Sequence, residues 1–270
     1  MRKVDDFSLI SGLVTKYMQP GVLTNNHMQI SEYRALIADG LLYMHEWCGG
    51  LLFLCKKESR QLLRFHICDT DFLPDISLPS DTVAEIPYKP SGAVSAAIAA
   101  SYLDRCGFST LFERVRLRRP ACCGITATGS GHSICNADAP MFDIVQTLLR
   151  DCFDPRTGCL PLDDELLCDI KNGNVLYASS DAETAIGLLR STERASSFGI
   201  CHLAVREDLR GRGIAGALLH AFVTRSGHKR ITVWTREGYT PAQRLYASAG
   251  FAPDGLRSYV LAMDKKLGVR

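Results

Sequence analysis

The sequence predicts an α/β fold, a mixed and mostly antiparallel sheet flanked by helices, laid down twice along the chain. Three observations carry this reading. Over residues 141–266 the apolar spacing runs from helical to alternating and back to helical. A glycine-punctuated loop opens a helix directly after a strand-like run. The first 119 residues echo fragments of the same order, which points to internal duplication.

From Met141 to Cys152, Met141, Ile144, Val145, Leu148 and Leu149 recur at helical spacing, and Asp163 to Ile170 forms a second short helix stopped by Asn172-Gly173. NVLYAS, TAIGLLRST and FGICHLAV are then short, β-favouring runs separated by polar turns, read as an antiparallel meander whose third strand ends at Val205. REDLRGRGIAGALLHAFVTR switches to a loop and an amphipathic helix, RITVWT reads as a buried strand, Thr240 to Ala249 as a helix and SYVLAMD as the last strand.

In the first half, Asp39-Gly40-Leu41-Leu42-Tyr43 resembles Asn172-Gly173-Asn174-Val175-Leu176-Tyr177. SYLDRCGFSTLFERVRLR resembles RLYASAGFAPDGLRSYVLAM, which aligns Gly107-Phe108 with Gly250-Phe251. Between the halves, Pro120 to Pro140 is rich in Gly, Ala, Ser and Thr and has no periodicity. The expected organisation is therefore a degenerate domain over 1–119, a linker over 120–140 and a catalytic domain over 141–270.

Composition narrows the classes. The 270 residues, 46% hydrophobic and 22% charged, suffice for two ordinary domains. Net charge is +2 and the densest basic cluster is Arg114, Arg116, Arg118 and Arg119, so no nucleic-acid partner is expected. The longest apolar run, Ala93 to Ala100, is far shorter than the roughly 20 residues of a membrane helix. The start, MRKVDDFSLISG, lacks the apolar core of a secretory signal, and a cytoplasmic protein is expected. The 11 cysteines, scattered among apolar positions such as Cys55, Cys168 and Cys201, read as buried free thiols. Cys122-Cys123 has no second pair at zinc-ligand spacing, and no metal is assigned.

The chemistry gathers at Arg210-Gly211-Arg212-Gly213-Ile214-Ala215, after a strand and before a helix containing Ala217, Leu218, Leu219 and Phe222. Glycines there let the backbone turn and present successive N–H groups at a helix N-terminus, a cradle for an anion such as a pyrophosphate. The loop is neither G-x-x-x-x-G-K-[ST] nor G-x-G-x-x-G. Arg210, Gly213 and Ala215, after Leu203-Ala204-Val205-Arg206, fit [RQ]-x-x-G-x-[GA], and Leu245-Tyr246-x-x-x-Gly250-Phe251 follows with a strand between. In both motifs, their order and their spacing, residues 141–266 resemble the Gcn5-related N-acetyltransferase (GNAT) superfamily.

That resemblance implies acetyl-CoA as co-substrate and a small-molecule amine as acceptor. The alternatives are a protein or peptide acetyltransferase and a non-catalytic CoA-binding sensor or scaffold. It implies that Arg210, Gly211, Arg212, Gly213, Ile214 and Ala215 cradle the pyrophosphate, and that the main chain of Leu203, Ala204 and Val205 holds the pantetheine arm. Tyr246 is implied as general acid towards the CoA thiolate. For the general base, His202 beside the acyl site and Glu193 in the turn between strands are both candidates. Trp234 is read first as a core aromatic; the other reading places it with Arg236 against the acceptor. The first half has no pyrophosphate loop between Leu51 and Tyr102, and Leu103 falls where Tyr246 stands in the second. A homodimer is left open.

Overall fold

The computed structural model describes residues 1–56, 60–121, 133–179, 185–227 and 229–263. They form two compact units, one of Met1–Arg114 together with the chain from Leu256 onward, the other of Val115–Gly255.

The first unit contains β1 (Arg2–Lys3), α1 (Ser8–Tyr17), β2 (Leu23–Thr24), α2 (Ile30–Ala38), β3 (Leu42–Trp47), β4 (Gly50–Lys56), β5 (Gln61–Ile67), β6 (Thr82–Tyr88), α3 (Ala93–Arg105) and the start of β7 (Phe108–Arg119). β3, β4 and β5 form an antiparallel meander, with Leu42 opposite Cys55 and Leu52 opposite Phe65. Alternation along β4 feeds both faces. Leu51, Phe53 and Cys55 pack with Ile10 and Tyr33 of α1 and α2, while Leu52 and Leu54 pack with Ala99 and Leu103 of α3. β6 then runs parallel to β5, and the 68–81 connection between them contains no helix.

The second unit contains the end of β7, β8 (Ser133–Asn136), α4 (Phe142–Cys152), α5 (Asp163–Lys171), β9 (Val175–Ser179), β10 (Ala185–Arg194), β11 (Ser197–Val205), α6 (Ile214–Ser226), β12 (Arg230–Arg236), α7 (Thr240–Ser248) and the start of β13 (Ala252–Met263). Its strands lie in the order β8-β9-β10-β11-β12, with β7 beside β12. Val145, Leu149 and Leu166 of α4 and α5 bury one face on Leu188 and Ala204. Leu218, Phe222 and Tyr246 of α6 and α7 bury the other on Leu189, Ile200 and Val233. No helix among the described residues is long and apolar enough to cross a membrane.

Each unit thus repeats two helices, a three-stranded meander, a parallel strand, a helix and a long strand. The sequence echoes fall on equivalent turns. Gly40 (φ 66°) and Gly173 (φ 70°) end α2 and α5, and Gly107 (φ 90°) and Gly250 (φ 81°) turn α3 into β7 and α7 into β13. Only the second copy has a helix, α6, between its two parallel strands.

Several expectations change. The unit boundary lies at 114/115 rather than after 119, inside a β7 that runs without a break. From Leu256 on, β13 belongs to the first unit, where Tyr259 pairs with Ile86 and Ala262 with Val83 on β6. Of the expected linker 120–140, residues 122–132 lie outside the described residues, and Ser133–Asn136 is strand β8, with Asn136 opposite Leu176. Cys55 is buried as expected, whereas Cys168 and Cys201 are exposed. Cys168 sits two residues from both Leu166 and Ile170, the buried stripe of α5, and so points away from it; Cys201 lies at a bulge described below.

Candidate active site

The parallel ladder between β11 and β12 runs from Ser197 opposite Arg230 to Ile200 opposite Val233 and stops there. Cys201–Val205 and Trp234–Arg236 continue as strands without pairing to each other, so the sheet opens into a cleft with its apex at Ile200 and Val233. On its other edge β11 pairs with β10, Arg190 opposite His202 and Ser191 opposite Ile200, which leaves Cys201 as a β-bulge. Ile200 and Leu203 both pack on the α6–α7 core, so Cys201 and His202 both occupy the opposite face.

Main-chain directions follow by alternation. The Arg206 N–H donates to Ile186 O at 3.1 Å, which turns the polar groups of Arg206 and Ala204 towards β10 and those of Leu203 and Val205 towards the opening. Of the three expected pantetheine contacts, then, Leu203 and Val205 face the cleft, while the main chain of Ala204 is engaged with β10.

Beyond Val205 the chain makes a 3₁₀ turn at Glu207–Leu209, then passes Arg210, Gly211 (φ 79°), Arg212 and Gly213 (φ 82°) into α6. Both glycines are left-handed, and a Cβ added at either meets nothing within 4 Å; backbone conformation demands glycine there, and the space above the loop is open. The first intrahelical bond of α6 is Ala217 N–H to Gly213 O at 3.0 Å, and no side chain caps the helix. The N–H groups of Ile214, Ala215 and Gly216 therefore point outward without an intrahelical acceptor, a donor set that fits a diphosphate. Arg206 pairs with Asp208, and Arg210 spans Val205 O at 3.3 Å and Glu207 at 3.7 Å.

Tyr246, on α7, is 5% exposed and packs edge-on against Phe251 with ring centroids 5.4 Å apart. Its hydroxyl makes no hydrogen bond among the described residues, and burial pushes its pKa above the usual phenol range. The group stays protonated. His202 is buried, edge-on to Phe153 at 4.8 Å, with Nε2 2.8 Å from Gly158 O. A carbonyl only accepts, so Nε2 carries the hydrogen and Nδ1 is the basic nitrogen.

Glu193 stands apart from these groups. It lies opposite Phe198, roughly 16 Å along the strand from Leu203 at about 3.3 Å per residue, and is ion-paired with Lys229. A turn carboxylate adjoins both ends of the meander in sequence, and only the register shows which end is open.

Trp234 is not a core residue. It is the first residue of β12 past the apex and is 38% exposed. The Arg116 guanidinium lies 6.0 Å from its ring, held by Asp254, whose Oδ2 accepts from Nε at 2.8 Å and from Nη2 at 2.7 Å. Arg236 is exposed at the end of β12. Sequence reasoning did not bring Arg116 and Asp254 to Trp234. The available signal was the period-two run Arg114, Arg116, Arg118, which marks one face of a strand.

The first unit has the same opening, but filled. Its parallel ladder ends at Leu63 opposite Ala84. Past that point β2 lies against β5, with Thr24 opposite His66. The side-chain amide of Asn25 donates to Leu63 O at 2.9 Å and Glu85 O at 3.0 Å and accepts from Phe65 N–H at 2.8 Å. Thr24 Oγ1 donates to Phe65 O at 2.7 Å. Leu103, the counterpart of Tyr246, is buried in the α3 core.

Residues 171–253 match the family model described as the acetyltransferase (GNAT) domain. The chain carries a GNAT acetyltransferase domain. Its fold is shared by a GCN5-related N-acetyltransferase from Sphaerobacter thermophilus, at 15% identity and TM-score 0.57, over 79% of this chain and 76% of that one. A Drosophila protein aligns at 15% identity and TM-score 0.55 over 97% of both chains. A tandem GNAT protein from the clavulanic acid biosynthesis pathway aligns at 15% identity and TM-score 0.51 over 82% of both. No curated protein matches the chain as a sequence relative. The GNAT match spans the cleft, the glycine loop and Tyr246, all within the second unit.

Proposed function

We propose that the protein is an acetyl-CoA-dependent N-acetyltransferase acting on a small primary amine, with one active site in the second unit. The observation that carries this is the coincidence on one strand of two features: a ladder break at Ile200 and Val233, and a left-handed glycine loop at the end of the freed segment.

When bound, acetyl-CoA supplies an activated thioester. The amides from Gly211 to Gly216 hold its diphosphate, and the main chain of Leu203 and Val205 holds the amides of the pantetheine arm. The acceptor nitrogen attacks the carbonyl carbon, forming the C–N bond as the C–S bond breaks. A strand N–H at the cleft stabilises the oxyanion. Tyr246 delivers its proton to the departing sulfur, and the proton lost from nitrogen passes to His202 Nδ1, directly or across a water. Glu193, at the closed end, takes no part.

Release of free thiol from acetyl-CoA, followed with a panel of amines, tests the reading. Amine-dependent thiol is expected. Saturable CoA binding with no amine-dependent thiol across the panel would make the chain a binding module instead.

A further inference from the structure

Tyr246 shares the α6–α7 core with Ile200, Val233, Ile231, Val115 and Leu117. Strand alternation sends their neighbours Cys201, Trp234 and Arg116 to the other face. With the general acid on one face of the opening, the acceptor must approach from the other. Trp234 flanks the apex on that face, with the Arg116 guanidinium 6.0 Å from its ring centroid.

The orientation of Arg116 is fixed rather than fluid. Nε and Nη2 both donate to Oδ2 of Asp254, whose side chain is only 5% exposed, and Nη1 makes no hydrogen bond among the described residues. A guanidinium clamped along one edge and lying 6.0 Å from an indole centroid presents its remaining edge as a ready docking fork for a planar oxyanion. Arg118, Arg230 and Arg236 lie exposed on the same face of β7 and β12, which favours an anionic acceptor over a polycation such as a polyamine. β7 lies one strand beyond β12, about 5 Å, so a molecule reaching from the apex to Arg116 is small.

Resting on the acetyltransferase reading above, we propose that the acceptor is an amine bearing a carboxylate, of the amino-acid class, and that Arg116 receives the carboxylate against Trp234. Asp254 is a positioning residue for this fork.

The test uses the full chain and two readouts. In the first, thiol release is compared for glycine, methylamine and aminomethylphosphonate. Wild type should prefer glycine over methylamine by about 10- to 100-fold in kcat/KM, the scale of a charge-assisted fork, and Arg116→Gln should bring that ratio towards one. A preference for aminomethylphosphonate would overturn the carboxylate in favour of phosphonate recognition. Equal use of glycine and methylamine by wild type, or a ratio unmoved in the variant, would overturn the proposal outright. The second readout is calorimetric binding of N-acetylglycine in the presence of CoA, which needs neither turnover nor a variant. Absence of binding to wild type sinks the acceptor assignment, whereas binding without any amine-dependent thiol sinks the enzymatic reading and leaves the carboxylate site standing.

Discussion

The two units open their sheets at the same place and treat the opening in opposite ways. In the second, the freed segment Cys201–Val205 ends in a loop of outward-facing amides, and no strand of the described residues fills the gap between it and β12. In the first, Thr24 and Asn25 supply from within the chain hydrogen bonds to the main chain of the parted strands. Unpaired main-chain groups inside a fold are costly, and a copy without the glycine loop closes its gap with its own residues. The copy without the glycine loop is thus the one whose opening is plugged, and the copy with the loop is the one whose Cys201–Val205 segment runs unpaired to β12.

Four experiments bear on this contrast. The largest effect is expected from Gly213→Asp, which sets a carboxylate where the diphosphate must lie and forces a side chain into a left-handed position. Like charges brought together cost several kcal/mol, so CoA affinity should fall about 1000-fold in calorimetry. Wild type should titrate to one CoA per chain, and a stoichiometry of two would break the contrast.

Next is Asn25→Ala, which strips partners from Leu63 O, Glu85 O and Phe65 N–H at a side chain only 1% exposed. Denaturant unfolding should show a loss of about 3 kcal/mol. CoA affinity should hold, and a marked drop in it would mean that the plugged cleft contributes to binding after all.

Third, Tyr246→Phe keeps the ring on Phe251 and removes only the hydroxyl. Turnover should fall about 100-fold, at the lower end for a lost general acid because a thiolate is already a fair leaving group, with CoA affinity retained. Wild-type rates across pH 6 to 9 with chemistry limiting would reduce Tyr246 to packing.

The smallest effect concerns acid. The Asn26 side-chain amide N–H donates to His66 Nε2 at 2.9 Å, and burial, reinforced by His27, pushes His66 down to about 4 from 6.5. A histidine whose folded pKa is depressed binds more protons unfolded, so stability is full above about pH 6.5 and is lost as pH falls towards 4. The first unit should lose about 2 kcal/mol between pH 8 and pH 5, and His66→Gln should flatten that slope. An unchanged slope in the variant would assign the acid sensitivity elsewhere.

What was legible in the sequence was local. Arg210, Gly213 and Ala215 carry their geometry in their own φ values and in the helix they start, and Leu245-Tyr246 to Gly250-Phe251 is one helix-to-strand turn, so both could be placed without the fold. Gly40 and Gly107 betrayed the duplication for the same reason. Pairing was not legible. β8 hides in a Gly- and Ser-rich stretch because an edge strand of four residues has no periodicity to show. Glu193 and His202 looked equivalent until the register put one at the closed end. Arg116 and Asp254 are 138 residues apart, and Trp234 faces outward by alternation with the buried Val233 and Thr235, on a face whose lack of cover no local pattern reports.

The placement of Leu256–Met263 in the first unit has a consequence for synthesis. A ribosome delivers the N-terminal end first, and domains ordinarily fold as they emerge. Here β6 waits for its neighbour until the second unit and residues 257–262 have been made, with Val83, Ala84 and Ile86 on an unpaired edge in the meantime. The unit without the glycine loop is therefore completed after the other, and a chain that stops after Gly255 would leave that edge bare.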